Sequence, residues 1–264
     1  MKKYLTIFKI SWETRLAYRF DFLVGRFRNV VVLIILYYVW DILNQNTDKF
    51  AGYERGELFA YVFGAIILKS IILGSQSRQM AMEINDGTFS RYLVQPINYF
   101  WVVFWRELAE KCLNLVSAVF EIIIFVLLVG SPFFWQTDLS VLALFFISVV
   151  LAFILYFILS YLVSLIAFWS REAMGPKFLF EWFLEFSSGI FFPLSILPKL
   201  FFISLSILPF AYLVYSPLRI YLGKAGIHEI VNGFLLSIFW IIAIGLLTRL
   251  TWIKGLKKYS GEGM

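Results

Sequence analysis

Leu139–Trp169 reads LSVLALFFISVVLAFILYFILSYLVSLIAFW, thirty-one residues without one charged side chain. A helix needs roughly 20 mostly apolar residues to cross about 30 Å of hydrocarbon. This run is longer than one bilayer, so it must tilt or project into water. Five more runs of the same kind accompany it: Val24–Leu43, Leu58–Ser75, Trp101–Val129, Phe178–Leu194 and Gly233–Ile253. Composition agrees with that reading. Hydrophobic residues make up 61% of the 264 and charged residues 15%, and mean hydropathy is +0.83. That leaves too little polar surface to cover a water-soluble globule. The expected fold is an all-α membrane protein with six transmembrane helices in a single domain, residues 1–264.

The formal net charge is +6, and its placement matters more than its size, because basic residues are retained on the cytoplasmic side. With six crossings and both termini cytoplasmic, seventeen Lys and Arg fall inside and five outside, with Lys69 left within a span. The inner set includes Arg78, Arg91, Arg106 and Lys111 near the second connection, and Arg171 and Lys177 in the fourth. No nucleic-acid partner is implied. A further apolar stretch, Pro198–Tyr215, would place the C-terminal basic cluster outside if it crossed. It reads instead as an outer re-entrant hairpin within residues 195–228. Pro193, Pro198, Pro209 and Pro217 each remove a backbone donor and break a continuous helix. Broken backbone at membrane depth requires cover by protein or a water-filled cavity. Residues 1–23 read as a basic interfacial helix on membrane lipid, with Leu5, Phe8, Trp12 and Leu16 on one face. The first 28 residues carry seven basic side chains before the uncharged part of the first run begins, unlike a cleavable leader.

A search for catalytic machinery finds almost nothing. Gly223-Lys224 is followed by Ala225, so there is no P-loop to cradle nucleotide phosphates. His228 is the only histidine and Cys112 the only cysteine, which excludes His-Glu-x-x-His zinc chemistry, an internal disulfide and a cysteine-rich metal site. No catalytic, metal or cofactor-binding residue is assigned. Ionisable residues inside spans are functional candidates by default, and four qualify: Lys69, Glu121, Glu181 and Glu185. Lys69 and Glu121 both lie roughly 14–15 Å from the inner edge at 1.5 Å per residue, so they are expected to pair. Glu181 and Glu185 share a helical face at i, i+4. Glu181 is close enough to the inner edge to meet Arg171 or Lys177.

Between the second and third runs lies a cytoplasmic segment, 76–100. It contains Glu83-Ile-Asn-Asp-Gly87-Thr88-Phe-Ser-Arg91-Tyr-Leu93-Val-Gln-Pro96. Its apolar and charged residues alternate without a lipid-like basic face, which suggests docking onto another protein. The pattern Glu83-x3-Gly87-Thr88-x4-Leu93-x2-Pro96 resembles the cytoplasmic motif of the type-2 family of ATP-binding-cassette (ABC) exporter permeases. Ser188-Gly189-x3-Pro193-Leu194-x2-Leu197-Pro198, followed by Leu208-Pro209 and Pro217, is similar to that family's outer re-entrant region. The ending Gly255-Leu256-x2-Tyr259-Ser260-Gly261 resembles a bacterial branch of viologen- or daunorubicin-type exporters.

The resemblance implies a half-transporter in the bacterial inner membrane. Two permeases, identical or different, would form the path for an exported drug, lipid or polysaccharide. Each would dock through its first cytoplasmic connection on a separate ATPase subunit, which holds the ATP and Mg. On this reading the segment carries the coupling. Gly87 permits a tight turn, Thr88 caps the turn after it, Pro96 ends the helix, and Glu83 and Arg91 meet polar partners on the ATPase. The alternative is an ATP-independent secondary transporter or channel subunit. It calls for a self-sufficient polar pathway and internal repeats, and neither is visible in the sequence.

Overall fold

The computed structural model describes residues 2–43, 49–50, 52–74, 76–129 and 134–259. In chain order the elements are α1 (Lys2–Ala17), α2 (Arg19–Leu43), the antiparallel pair β1 (Lys49–Phe50) and β2 (Tyr53–Glu54), and α3 (Arg55–Ile72). Then come α4 (Ser77–Asn85), α5 (Ser90–Leu93), α6 (Tyr99–Val129) and α7 (Leu139–Ser164), the last prolonged by a 3-10 turn at Leu165–Phe168. The chain finishes with α8 (Met174–Ser187), α9 (Lys199–Ile207), α10 (Tyr215–Tyr221) and α11 (Ile227–Lys258).

Among the described residues, five helical stretches are long and apolar enough to cross a membrane: Leu23–Ile42, Arg55–Asn85, Tyr99–Leu128, Leu139–Phe168 and Ile227–Lys258. Their apolar surface faces outward. Only 11% of the apolar window of α2 and 17% of that of α11 is buried. Phe27, Ile35, Leu235 and Phe239 stand exposed along these two helices. Water would penalise contiguous apolar surface on that scale; hydrocarbon does not. The chain is an all-α, multi-pass membrane protein.

The run expected over Phe178–Leu194 is not among the five. Its helix, α8, stops at Ser187 after 14 residues, which is about 21 Å at 1.5 Å per residue. The stop has a local cause. Gly189 adopts φ +85°, a conformation open to glycine and costly for other residues, and Pro193 follows. From there the chain proceeds in short pieces, each opened by a proline. Pro193 precedes a 3-10 turn at Leu194–Ile196, Pro198 precedes α9, and Pro209 opens a second 3-10 turn at Pro209–Tyr212. Those are the positions where a missing N–H costs nothing.

Contacts order the pieces. At the upper end, the Glu57 carboxylate accepts from the Glu54 N–H at 2.8 Å and from the Lys224 ammonium at 2.8 Å. Further down α11, the Trp240 indole donates to the Ile207 carbonyl at 2.9 Å. The chain therefore descends along α9 to the level of Trp240 and returns through α10 to the level of Glu57. One apolar core joins α3, α7 and this folded-back segment, through Leu58, Tyr61, Leu155, Tyr156, Leu213 and Leu218. A second core occupies the lower end, where α4, α5 and the start of α6 meet the ends of α7 and α11.

Helix α1 lies lengthwise against the first half of α6, running in the same direction. Lys3 donates to the Pro96 carbonyl at 2.5 Å, the Phe8 and Trp105 rings meet at 6.2 Å, and Arg15 pairs with Glu110 at 2.9 Å. The face expected from the sequence is split by this packing. Phe8 and Trp12 are partly buried beside Tyr4 and Ile7, whereas Leu5 and Leu16 are exposed.

Candidate functional site

The lower end is built around a break between α3 and α4 that α6 holds in place. Gly74 turns the chain with φ +78°, leaving the last carbonyls of α3 and the first amides of α4 without helical partners. Glu107 and Lys111, one turn apart on α6, form a buried ion pair at 3.2 Å. Lys111 donates to the Leu73 carbonyl at 2.7 Å and to the Gly74 carbonyl, and Glu107 accepts from the Gln76 N–H at 2.8 Å. Each charge caps the helix end that its sign favours. Lys111 was counted with the cytoplasmic connection in the sequence; it is in fact 5% exposed within the protein.

From this joint, α4 buries Met80, Ala81, Glu83 and Ile84. At Gly87 the chain turns with φ +73° and closes through Phe89 N–H to the Glu83 carbonyl at 2.8 Å. The Phe89 ring is then fully buried among Tyr99, Phe168, Trp252 and Tyr259, with centroids 4.8–5.9 Å away. Edge-on contacts of this kind add about 0.5–1.5 kcal/mol each beyond area burial.

Glu83 departs from its expected role. Its carboxylate points inward, 5% exposed, accepting from the Tyr99 hydroxyl at 2.6 Å and from Arg106 at 3.0 Å. Tyr92, itself bonded by Arg106, donates to it at 3.4 Å. Glu83 thus anchors α4 to α6 and faces no outside partner. Thr88 differs too. Its hydroxyl donates backward to the Glu83 carbonyl at 3.3 Å, serving the end of α4, and Phe89 occupies the N-cap of α5. Helix α5 already ends at Leu93, three residues before Pro96. Arg91 is exposed and folds over the Tyr92 ring, its guanidinium 4.8 Å from the centroid. Together with Met82, Thr88, Leu93 and Val94 it forms the outward face of the segment.

The charges inside the spans pair differently from expectation. Lys69 bonds Glu185 at 2.6 Å, and Glu121 bonds Arg26 at 3.1 Å, so Lys69 and Glu121 do not meet. Depth along a span does not specify which way around its helix a side chain points. Arg26 lies on α2 and bonds Asn114 as well, at 3.1 Å. Glu181 pairs with Arg78 and not with Arg171 or Lys177. The i, i+4 face of α8 therefore docks on α3 and α4 through two ion pairs. Lys177, just ahead of the apolar run of α8, is 2% exposed and donates to the hydroxyls of Ser77 and Ser164, the latter at 2.6 Å.

Between α2, α3, α6 and α8 lies an open groove of about 720 Å³, lined by Arg26, Arg28, Lys69, Glu181 and Glu185 together with apolar side chains such as Leu36 and Trp182. A double-mutant cycle tests its charge pairing by thermal unfolding in detergent. Lys69→Met with Glu185→Gln should show coupling of at least about 0.5 kcal/mol, as residues in contact do. Lys69→Met with Glu121→Gln should be additive. The opposite pattern would invalidate the pairing.

Among these residues, Glu107 and Lys111 could have been found from sequence, as opposite charges at i, i+4 within a predicted span. Arg26 could have been found the same way, as a charge inside the run Val24–Leu43.

A bundle of outward-facing apolar helices, with ion pairs along an open groove and a segment anchored on the helix that follows it, defines the class: a polytopic membrane protein. Residues 30–263 match the family model described as ABC-2 family transporter protein, and the chain belongs to that family. No curated protein matches the chain. Membership supports an ABC transporter permease, a membrane subunit.

Proposed function

We propose that this chain is the permease of an ATP-driven exporter of the viologen/daunorubicin-like bacterial branch. It sits in the inner membrane with both termini cytoplasmic. ATP and Mg bind to separate ATPase subunits, and the translocation path is shared with a second permease. Helix α8 and the apolar residues after it make a sixth crossing. The segment through α9 and α10 is the outer re-entrant region, and α1 rides at the cytoplasmic interface beside α6.

The observation that carries this reading is the construction of the segment from Ser77 to Pro96. Its inner face is fastened to α6, α7 and α11 by Glu83 and Phe89, and its outer face exposes Thr88, Leu93 and Val94 beside Arg91, which is held from within by the Glu83 carboxylate at 3.6 Å and the Tyr92 hydroxyl at 2.8 Å. A push on that face has a rigid path into the spans. Arg91 and the apolar pair Leu93 and Val94, 51% and 85% exposed, have the mix of charge and apolar area that anchors protein interfaces.

The test is co-purification of the tagged chain with its ATPase, followed by ATP hydrolysis measured in lipid. Leu93→Ser combined with Val94→Asp, both on exposed side chains, should weaken association at least about tenfold, a loss of about 1.4 kcal/mol, without lowering the unfolding temperature. Association and hydrolysis at the unmodified level would refute the coupling assignment.

A further inference from the structure

The C-terminal motif Gly255-x3-Tyr259 lies 172 residues from Gly87 in sequence, yet its side chains close on the coupling turn. The Tyr259 hydroxyl donates to the Gly87 carbonyl at 3.0 Å and sits 3.0 Å from the Ser90 hydroxyl, which donates to the same carbonyl at 2.7 Å. The segment's own backbone closes the turn, through Gly87 N–H to the Ile84 carbonyl at 3.3 Å and Ser90 N–H to the Gly87 carbonyl at 3.1 Å, and the Tyr259 hydroxyl ties that closed turn to the C-terminal end of α11. The Tyr259 ring packs edge-on against Phe89 at 5.1 Å and against Phe168 at 6.0 Å.

Gly255 makes this approach possible. A Cβ at position 255 would come within 3.0 Å of three atoms of the Phe168 ring, closer than real Cβ atoms come to anything. Phe168 in turn touches Phe89 at 5.9 Å and Trp252 at 5.7 Å. Trp252 stacks on Tyr99 at 6.0 Å. The last two turns of α11 and the end of α7 thus grip the turn at its carbonyl and at its one buried ring.

We infer that Gly255 and Tyr259 are positioning residues of the coupling device: they clamp the Gly87 turn to α11, so that displacement of the segment by the ATPase moves the last span together with α3 and α6. The inference rests on the coupling assignment proposed above. A bond to the apex of the turn from a helix with 32 residues gives the ATPase a lever on the far side of the bundle.

Hydrogen exchange on the permease–ATPase complex in lipid nanodiscs, with and without ATP plus vanadate, tests this. In the unmodified complex, nucleotide should change exchange both in residues 83–96 and in residues 248–258. Tyr259→Phe keeps the ring contacts and removes only the hydroxyl, so it should preserve folding and association. It should keep the change in 83–96 and lose the change in 248–258. Gly255→Ala should do the same more strongly, and Phe168→Leu should partly rescue it by vacating the space. Retention of both changes in Tyr259→Phe would overturn the inference. Faster exchange in both segments without nucleotide would overturn it as well, because Tyr259 would then be a packing residue only. Failure of the unmodified chain to bind an ATPase would instead overturn the coupling assignment beneath it.

Discussion

Glu83→Ala should be among the most damaging single substitutions in the lower half of the protein, costing about 3–5 kcal/mol, the range for breaking a buried ion pair by removing one partner. The loss is not the pair's attraction alone. Arg106 is largely buried, with a side chain 16% exposed, and would keep its charge with only the Tyr92 hydroxyl to receive it. Tyr99 would lose its 2.6 Å acceptor at the same time. Glu83→Gln retains an acceptor for Tyr99 and should cost less. Glu83→Leu with Arg106→Met removes both charges and should recover much of the loss. Thermal unfolding in detergent reads the stability, and ATPase association reads the segment's position. If Glu83→Ala and the double variant were equally unstable, the carboxylate would not be balancing Arg106.

The second large effect is expected far from that segment, at Gly189. Its φ of +85° disfavours any side chain, by about 1–2 kcal/mol. A Cβ there would also stand 2.7 Å from the Tyr61 hydroxyl, 3.1 Å from Tyr215 Cβ and 3.2 Å from Leu194 Cγ. Overpacking of a closed site adds about 1–3 kcal/mol. The displaced Tyr61 hydroxyl would lose its 2.7 Å bond to the Gly189 carbonyl as well. Gly189→Ala should therefore lower stability by more than about 2 kcal/mol. Tyr61→Phe, which sacrifices only the hydrogen bond, should cost about 1 kcal/mol. Equal unfolding temperatures for the two variants would mean that the turn tolerates a Cβ and that its glycine is not required.

Apolar length made most of the bundle readable in advance. The runs at 24–43, 58–75, 101–129, 139–169 and 233–253 each contain the core of an observed helix, because hydrocarbon thickness constrains them independently of tertiary contacts. The run at 178–194 is helical only as far as Ser187, for a reason visible in the same residues. Phe191, Phe192 and Leu194 look apolar enough to continue a helix, but Gly189 and Pro193 govern the backbone. The candidate site was legible in position and less so in orientation. Residues 83–96 do form the projecting segment, but which of its charges turn inward depends on Arg106 and Tyr99 from the next helix. For the same reason the depths of Lys69 and Glu121 could be estimated while their partners could not. Tyr259 lay beyond any local pattern, since only folding brings it to Gly87.

The joint at Gly74 also bears on how the protein is made. Helix α3 leaves the ribosome before α6 exists, so the Leu73 and Gly74 carbonyls enter the membrane without the Lys111 ammonium that later receives them. Until that helix arrives, nothing fixes where the apolar run stops, and α3 is free to slide along its own axis. The arrival of one buried ion pair sets the register of three helices at once. Loss of either charge should thus be felt during insertion, as a mixture of depths for α3, before it is felt in the finished molecule.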